Sequence, residues 1–333
     1  MLKVAEARSA WGRLAFFLFP RILYRGESRY TQPASWGGRA AMQGNANPLL
    51  NGPHAFLMIK ENGRMAARVL SAVSRDGKSG CFSMFEASSP AAGRAAIEVA
   101  MTFQRKHGSA RITGPLPPSA LDYGRGILCA GFERRPPVMD VYNSDWYPKV
   151  MGDCGFTAVK RWLSFAIPLD SPSVARYRRV GEWAAARYSL RAEAYLRDPR
   201  RVCGALREVE CEDSPDGFRG SEGYAKAWSR LRKACPGVRF SAVLSGGRAV
   251  GYAVTLPDGT DRARLATVAV APDFRNRGAA VALLAALIEA LERDGVRTLD
   301  ASLIDSENRA SRRLAERAGG VITHQYREYS RKI

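Results

Sequence analysis

Histidine, cysteine and negative charge are all scarce in this chain of 333 residues. The three histidines (His54, His107, His324) lie far apart. The six cysteines (Cys81, Cys129, Cys154, Cys203, Cys211, Cys235) form no C-x-x-C pair. That spacing excludes the common zinc motifs and argues against a secreted disulfide framework, so no metal is expected. The run Leu14 to Tyr24 is apolar but is broken by Pro20 and Arg21. It falls short of the about 20 residues a bilayer-spanning helix needs. The opening MLKVAEARSAWGR lacks the apolar core and small-residue cleavage site of a secretory signal. A cytosolic chain that does not cross a membrane is expected. Packing of the Leu14–Tyr24 run onto a core is favoured over contact with a membrane surface.

Positive charge and apolar residues are plentiful. Lys and Arg number 51 against 32 Asp and Glu, a formal net charge of +19. Such an excess suits acidic partners: nucleic acid, a phosphorylated cofactor, an acidic carrier protein or anionic lipid. The charges are scattered, so a solvated arginine-rich surface explains them equally well. No helix-turn-helix, zinc-finger or RNP pattern is present, and sequence-specific DNA binding is not expected. A 46% hydrophobic composition is that of a globular protein, and the length suggests about two domains.

Turn and cap residues divide the chain into two similar series. AFLMIK and RMAARVLSAV flank an Asn62-Gly63 turn, a hairpin signal. GCFSMFEA is a predicted strand, and Pro90 to Gly108 a helix with proline at its start and glycine at its end. ARITGP, a short helix ending at Gly155 and VKRWLSFAIPL follow. The second series opens with a predicted strand over Tyr188–Leu196. Two helices, DPRRVCGALREVE and SEGYAKAWSRLRKA, come next, with Asp198 and Ser221 as caps. A hairpin turned at Gly246-Gly247, the strand RARLATVAVAP, the helix Ala279–Gly295, RTLDASLI, the helix ENRASRRLAERAGG and ITHQYREYSRKI complete it. The shared order is hairpin, strand, long helix, strand, short helix, strand, which predicts an α/β sheet in each half. The Pro/Ser-rich stretch 168–173 sets the expected boundary, giving domains 1–170 and 171–333.

One junction carries most of the chemistry. In VAVAPDFRNRGAAVALL, a strand over Val268, Ala269 and Val270 leads through Arg275, Asn276, Arg277 and Gly278 to a helix beginning Ala279-Ala280. The first backbone N–H groups of a helix lack internal partners and sit at the positive end of its dipole, a natural anion site. Gly278, Ala279 and Ala280 let an anion approach, and two arginines add charge-assisted bonds. The pattern fits a pyrophosphate; a plain strand–helix turn with solvated arginines is the alternative.

The Arg-x-x-Gly-x-Ala loop after V-A-V-x-P resembles the acyl-CoA loop of the GNAT acetyltransferase superfamily. Asn308, at the head of ENRASRRLAERAGG, resembles the superfamily's later motif beside the pantetheine arm, and the element order of residues 188–333 matches that fold. The resemblance implies tandem GNAT-like folds, each a mixed, mostly antiparallel sheet flanked by helices. It implies acetyl-CoA or another acyl-CoA as donor. The strand at 267–270 would bond the pantetheine arm, the 275–280 loop would hold the pyrophosphate, and a splay between 265–270 and 298–304 would admit the thioester. Two departures stand out. Where the superfamily often has a catalytic Tyr, after Leu314, this chain has Ala315, and LATVAV supplies no carboxylate. Ser302, Asp305 and Glu307 are the candidate acid and base groups, with Tyr326 more remote. Each fits a cap or surface role better than catalysis.

Stretches such as FFLFPRILYRGESRY, NPLLNGPHAFLMI and the closing YREYSRKI extend the resemblance to bacterial two-half GNAT-like proteins with a degenerate N-terminal half. In that half FEASSPAAG stands at the loop position, without arginines or suitably placed glycine, so cofactor binding is expected to be lost there. The Tyr142–Tyr147 segment either shapes an acceptor site or packs the half-domain, packing being favoured. The expected activity is acyl transfer to a small-molecule amine or peptide acceptor. The alternatives are a donor carried by an acidic carrier protein or tRNA, and a non-catalytic CoA-binding module.

Overall fold

A computed structural model describes residues 2–30, 48–118, 125–196 and 237–333. The two helices expected between 198 and 234 lie outside the described residues. By internal contacts the chain divides into two units: Met1–Trp162 with His324–Ile333, and Leu163–Thr323. The last ten residues thus group with the first unit.

In the first unit, β1 (Leu2–Glu6), α1 (Ala10–Leu23), β2 (His54–Glu61), β3 (Arg64–Val73), β4 (Gly80–Ala87), α2 (Pro90–Lys106), β5 (Arg111–Gly114), β6 (Ile127–Ala130) and α3 (Tyr147–Asp153) follow in order. β7 (Thr157–Pro168) begins in this unit and ends in the second. The sheet order is β1-β2-β3-β4-β5 with β13 (Val321–Lys332) beyond β5, and β6 also pairs with β13. Only β4–β5 is parallel in this series. The β2–β3 turn has Asn62 and Gly63 at φ 50° and 80°, the left-handed pair that a two-residue hairpin demands. Proline at the first turn and a Ser89 cap on Ala92 N–H start α2. Its apolar face (Ala92, Ala96, Ile97, Ala100) packs on Leu57, Val69 and Phe82.

The second unit contains α4 (Pro172–Arg187), β8 (Leu190–Glu193), β9 (Arg239–Ser245), β10 (Arg248–Pro257), β11 (Arg262–Val270), α5 (Ala279–Arg293), β12 (Thr298–Asp305) and α6 (Arg309–Arg317). Its sheet order is β7-β12-β11-β10-β9-β8, antiparallel from β11 to β8 and parallel at β11–β12. Both units therefore have the expected mixed, mostly antiparallel sheet with flanking helices. The strand expected over Tyr188–Leu196 shortens to four residues, because α4 runs up to Arg187. That helix is absent from the sequence reading, although Ser171 caps Val174 N–H and Pro172 stands at its first turn.

The apolar face of α5 (Leu283, Leu287, Ile288, Leu291) packs on Val243, Val250, Ala253 and Leu299. Its other neighbour is α4, and there the helices meet through small residues. A Cβ added to Gly181 would collide with Ala285 Cβ. Overpacking such a contact forces the helices apart. Gly181→Val is expected to lower stability by about 2 kcal/mol. The measurement is a urea midpoint, which should fall with an unchanged m-value.

Candidate functional site

The second unit's site is built by a strand that parts from its neighbour. β11 and β12 are paired from Arg262↔Thr298 to Leu265↔Ala301, and no further. At the same point β11 bulges: Thr255 opposes Leu265 while Val254 opposes Thr267, which leaves Ala266 without a partner on β10. A bulge bends and twists its strand, and here it turns the remainder of β11 away from β12. Arg262 donates to both oxygens of the fully buried Asp300 at 2.7 and 3.0 Å, which ties the two strands together just before they separate.

Beyond the bulge, one edge of β11 stays bonded to β10. Ala271 N–H donates to Val250 O at 2.8 Å. Because backbone groups alternate along an antiparallel strand, the N–H and C=O of Val268 and Val270 face the opened side. Val270 O accepts only a long contact from Arg275 Nε, 3.4 Å. Among the described residues nothing fills this edge at half-buried Val268, Ala269 and Val270. This is the splay expected between 265–270 and 298–304.

The strand leads through a short 3₁₀ turn (Pro272–Phe274) to α5, whose N-cap is Gly278 with φ 72°. No side chain of a described residue caps this helix, and its first turn holds no acidic residue. The N–H groups of Ala279, Ala280 and Val281 have no hydrogen-bond partner among the described residues, at the positive end of a 15-residue helix. Arg275, Asn276 and Arg277 are exposed around it, with Asn276 left-handed at φ 62° and Arg277 lying 5.8 Å from the Phe274 ring centre. The role expected for Gly278 needs correction. A Cβ there would sit 2.5 Å from Ala184 Cβ on α4. The glycine is required by its backbone angle and by helix packing, and its bare side faces protein.

The structure does not gather the three candidate acid–base residues. Ser302 is buried, with its Oγ 2.7 Å from Ser164 Oγ. Asp305 Oδ1 accepts from Glu307 N–H at 3.0 Å, a turn that leads into α6. Glu307 itself is exposed. Asn308 caps α6 by accepting from Ser311 N–H at 3.0 Å. Ala315, at the position of the expected tyrosine, is buried and packs in the core. Tyr326 is buried in the first unit. No group of three His, Cys, Asp or Glu that could hold a metal occurs among the described residues.

The first unit repeats the geometry and closes it. β4 and β5 are paired only at Gly80↔Ile112 and Cys81↔Thr113. β4 then bulges where Val69 faces both Met84 and Phe85, with Met84 at φ 51°. Ser88 N–H donates to Ala66 O, so the groups of Ala87 face the opened side, as those of Val270 do in the second unit. Tyr147 fills the gap. Its Oη accepts from Ala87 N–H at 2.7 Å and lies 3.1 Å from Ala87 O and 3.2 Å from Glu86 Oε2. Tyr24 Oη donates to the same Glu86 oxygen at 2.6 Å. Burial raises the Glu86 carboxyl, against opposing effects of Arg68 and the two phenols. Burial, and then the neighbouring Glu86, raises both tyrosines. The space left beside them is ≈ 40 Å³, room for about three waters. The Tyr142–Tyr147 segment had no backbone-capping role in the sequence reading. The bulge that creates the need for one is visible only in three dimensions.

Residues 204–320 match the model of the Acetyltransferase (GNAT) family. That match covers about a third of the chain. Three solved structures show the same fold around it. A tandem GNAT protein from the clavulanic acid biosynthesis pathway is 14% identical, with a TM-score of 0.67 over 100% of this chain and 98% of that one. A GCN5-related N-acetyltransferase from Sphaerobacter thermophilus is 15% identical, with a TM-score of 0.56 over 99% and 95%. The glucosamine N-acetyltransferase region of a fungal multi-domain GH3 β-N-acetylglucosaminidase is 12% identical, with a TM-score of 0.63 over 99% of this chain and 38% of that one. At these identities the likeness is one of fold. No curated protein matches the sequence. With the matched segment preceded by a unit of like topology, the chain has a tandem GNAT-like fold.

The closed cleft yields a prediction. Tyr147→Phe removes the acceptor of Ala87 N–H and leaves a buried donor unpaired, at a cost of about 1–3 kcal/mol. Calorimetric unfolding should show the loss. Hydrogen exchange should report faster exchange at Ala87 than at Ser88.

Proposed function

We propose that the chain is an N-acyltransferase that takes its acyl group from acetyl-CoA or another acyl-CoA and passes it to an amine on a small molecule or peptide. The observation that carries this reading is the pairing of an open strand edge at Val268 and Val270 with an uncapped helix N-terminus nearby. The edge offers donors and acceptors for an amide-containing arm, in the manner of an added strand. The helix N–H groups, Arg275 and Arg277 offer charge for its pyrophosphate. Asn308 is committed to capping α6, so its part is to fix that helix beside the cleft.

In the proposed reaction the amine nitrogen attacks the thioester carbonyl. The C–N bond forms, the C–S bond breaks, the thiolate leaves, and the amine proton passes to solvent or to the thiolate. Holding both reactants in register supplies most of the acceleration. With Ser302 tied to Ser164, Asp305 in a turn and Ala315 in the core, none of these three positions supplies a poised general base. The acceptor then has to enter as the free amine. The logarithm of kcat/KM is expected to rise with unit slope in pH up to the acceptor's own pKa, and Asp305→Asn and Glu307→Gln should keep rates within about twofold. A bell-shaped profile, altered by either substitution, would refute base-free transfer.

Binding is tested first. CoA and acyl-CoAs should raise the melting temperature by mass action, and Arg275→Glu with Arg277→Glu should abolish the rise. No rise with any CoA in the native chain would remove the reading. The +19 charge favours a second one, a donor carried on an acidic carrier protein or on tRNA. Its mark would be binding of that macromolecule that weakens steeply with salt.

A further inference from the structure

The first unit has a surface that the proposed chemistry leaves unused. Helix α1 starts at a Ser9 cap and buries Phe16, Phe19 and Pro20 against the sheet. A helix lying on a sheet ordinarily turns polar residues outward. This one is apolar on both sides. Trp11 is 81% exposed, Leu14 45% and Ile22 66%, Ala15 is exposed and Leu18 half-buried. At 100° per residue, positions 11, 14, 15, 18 and 22 fall within about 100° of the helix circumference, a single outward stripe.

The charges in and beside the helix have one sign. Arg8, Arg13, Arg21 and Arg25 lie in or beside the helix, and no Asp or Glu occurs between Glu6 and Glu27. Arg21 and Arg25 are exposed, Arg21 next to Leu14 on the helix circumference, whereas Arg13 lies on the far side, over the Phe56 ring at 5.5 Å. Their long stems can lie along an apolar boundary with the charge at its wet side. Trp favours that same boundary. An outward apolar stripe with a cationic border is the pattern of a helix that lies in a lipid interface. Charge also weighs against a second copy as the occupant: it would bring the same arginines face to face on molecules of +19 each.

We propose that α1 docks the protein on an anionic phospholipid surface, with Trp11, Leu14, Leu18 and Ile22 entering the headgroup–acyl boundary and the arginines pairing with lipid phosphates. No described helix is long and apolar enough to cross a membrane. The docking is independent of the acyl-transfer reading, since it uses none of the residues around Val268–Ala280.

The test is flotation of the full chain with vesicles of phosphatidylglycerol and phosphatidylcholine in equal parts, and with phosphatidylcholine alone. The native chain should float with the anionic vesicles, bind neutral ones at least tenfold more weakly, and release in high salt. Trp11→Ser with Ile22→Ser should lower anionic-vesicle affinity at least tenfold, with circular dichroism and melting unchanged, since both side chains are exposed. Arg21→Gln with Arg25→Gln should lower it while leaving the apolar stripe intact, and serves should the first variant fold poorly. Equal binding to neutral vesicles, failure to bind anionic ones, or full binding by both variants would overturn the proposal. So would a concentration-dependent dimer that the Trp11/Ile22 variant abolishes, because the stripe would then belong to a second copy.

Discussion

A strand that leaves its neighbour exposes backbone groups that must find other partners, and this requirement organises both units. Parallel pairing ends after Leu265↔Ala301 in the second unit and after Cys81↔Thr113 in the first. Each departure coincides with, or soon precedes, a bulge. The two units answer the requirement differently. In the first, the Tyr147 hydroxyl satisfies the backbone of Ala87, and Glu86 and Tyr24 complete a network around it. In the second, the edge at Val268 and Val270 is left to whatever enters the cleft. One topology thus gives a plugged cleft and an open one, and the difference rests on a single tyrosine from the following short helix.

The open cleft depends on what lies behind it. The loop 275–278 is fixed less by its own sequence than by α4, which approaches so closely that Gly278 and Gly181 have no room for a Cβ against Ala184 and Ala285. The first turn of α5 is therefore held in place from the rear, and no side chain of a described residue caps its N–H groups. A helix end that lacks both a cap and an acidic residue is poorly satisfied alone. Its position suits an anion, and the arginines on the exposed side of the loop add charge where that anion would lie.

Much of this was legible in the sequence because the informative signals are local. Asn62-Gly63 and Gly246-Gly247 mark hairpins through backbone angles few other residues adopt. Pro90 and Gly108 bracket α2, and the spacing after Val268 marks a strand, a basic turn and an apolar helix. What escaped notice depends on distant neighbours. Helix α4 buries Val174, Tyr177, Gly181 and Ala184, a face half made of small residues and so faint in any hydrophobic pattern. The reason for Gly278 lies on that same helix. Tyr147 reads as one aromatic among several until the bulge at Met84 shows which backbone groups it meets. Asp305 and Glu307 look like acid–base candidates in a linear sequence, and only the turn between them shows one accepting the other's N–H.

The membership of β13 bears on how the protein is made. Residues His324–Ile333 pair with Arg111–Gly114 of β5 and with β6, deep in a unit whose other elements precede Leu163. Glu328 meets the buried Arg125 there at 2.6 Å. During synthesis the first unit emerges well before its closing strand, and the whole second unit is translated in between. Until β13 is made, the edge of β5 and the Arg125 guanidinium lack the strand and the carboxylate that meet them in the folded unit. The first unit to be made is therefore among the last to be completed, and a ribosome stalled inside the second would leave both units unfinished.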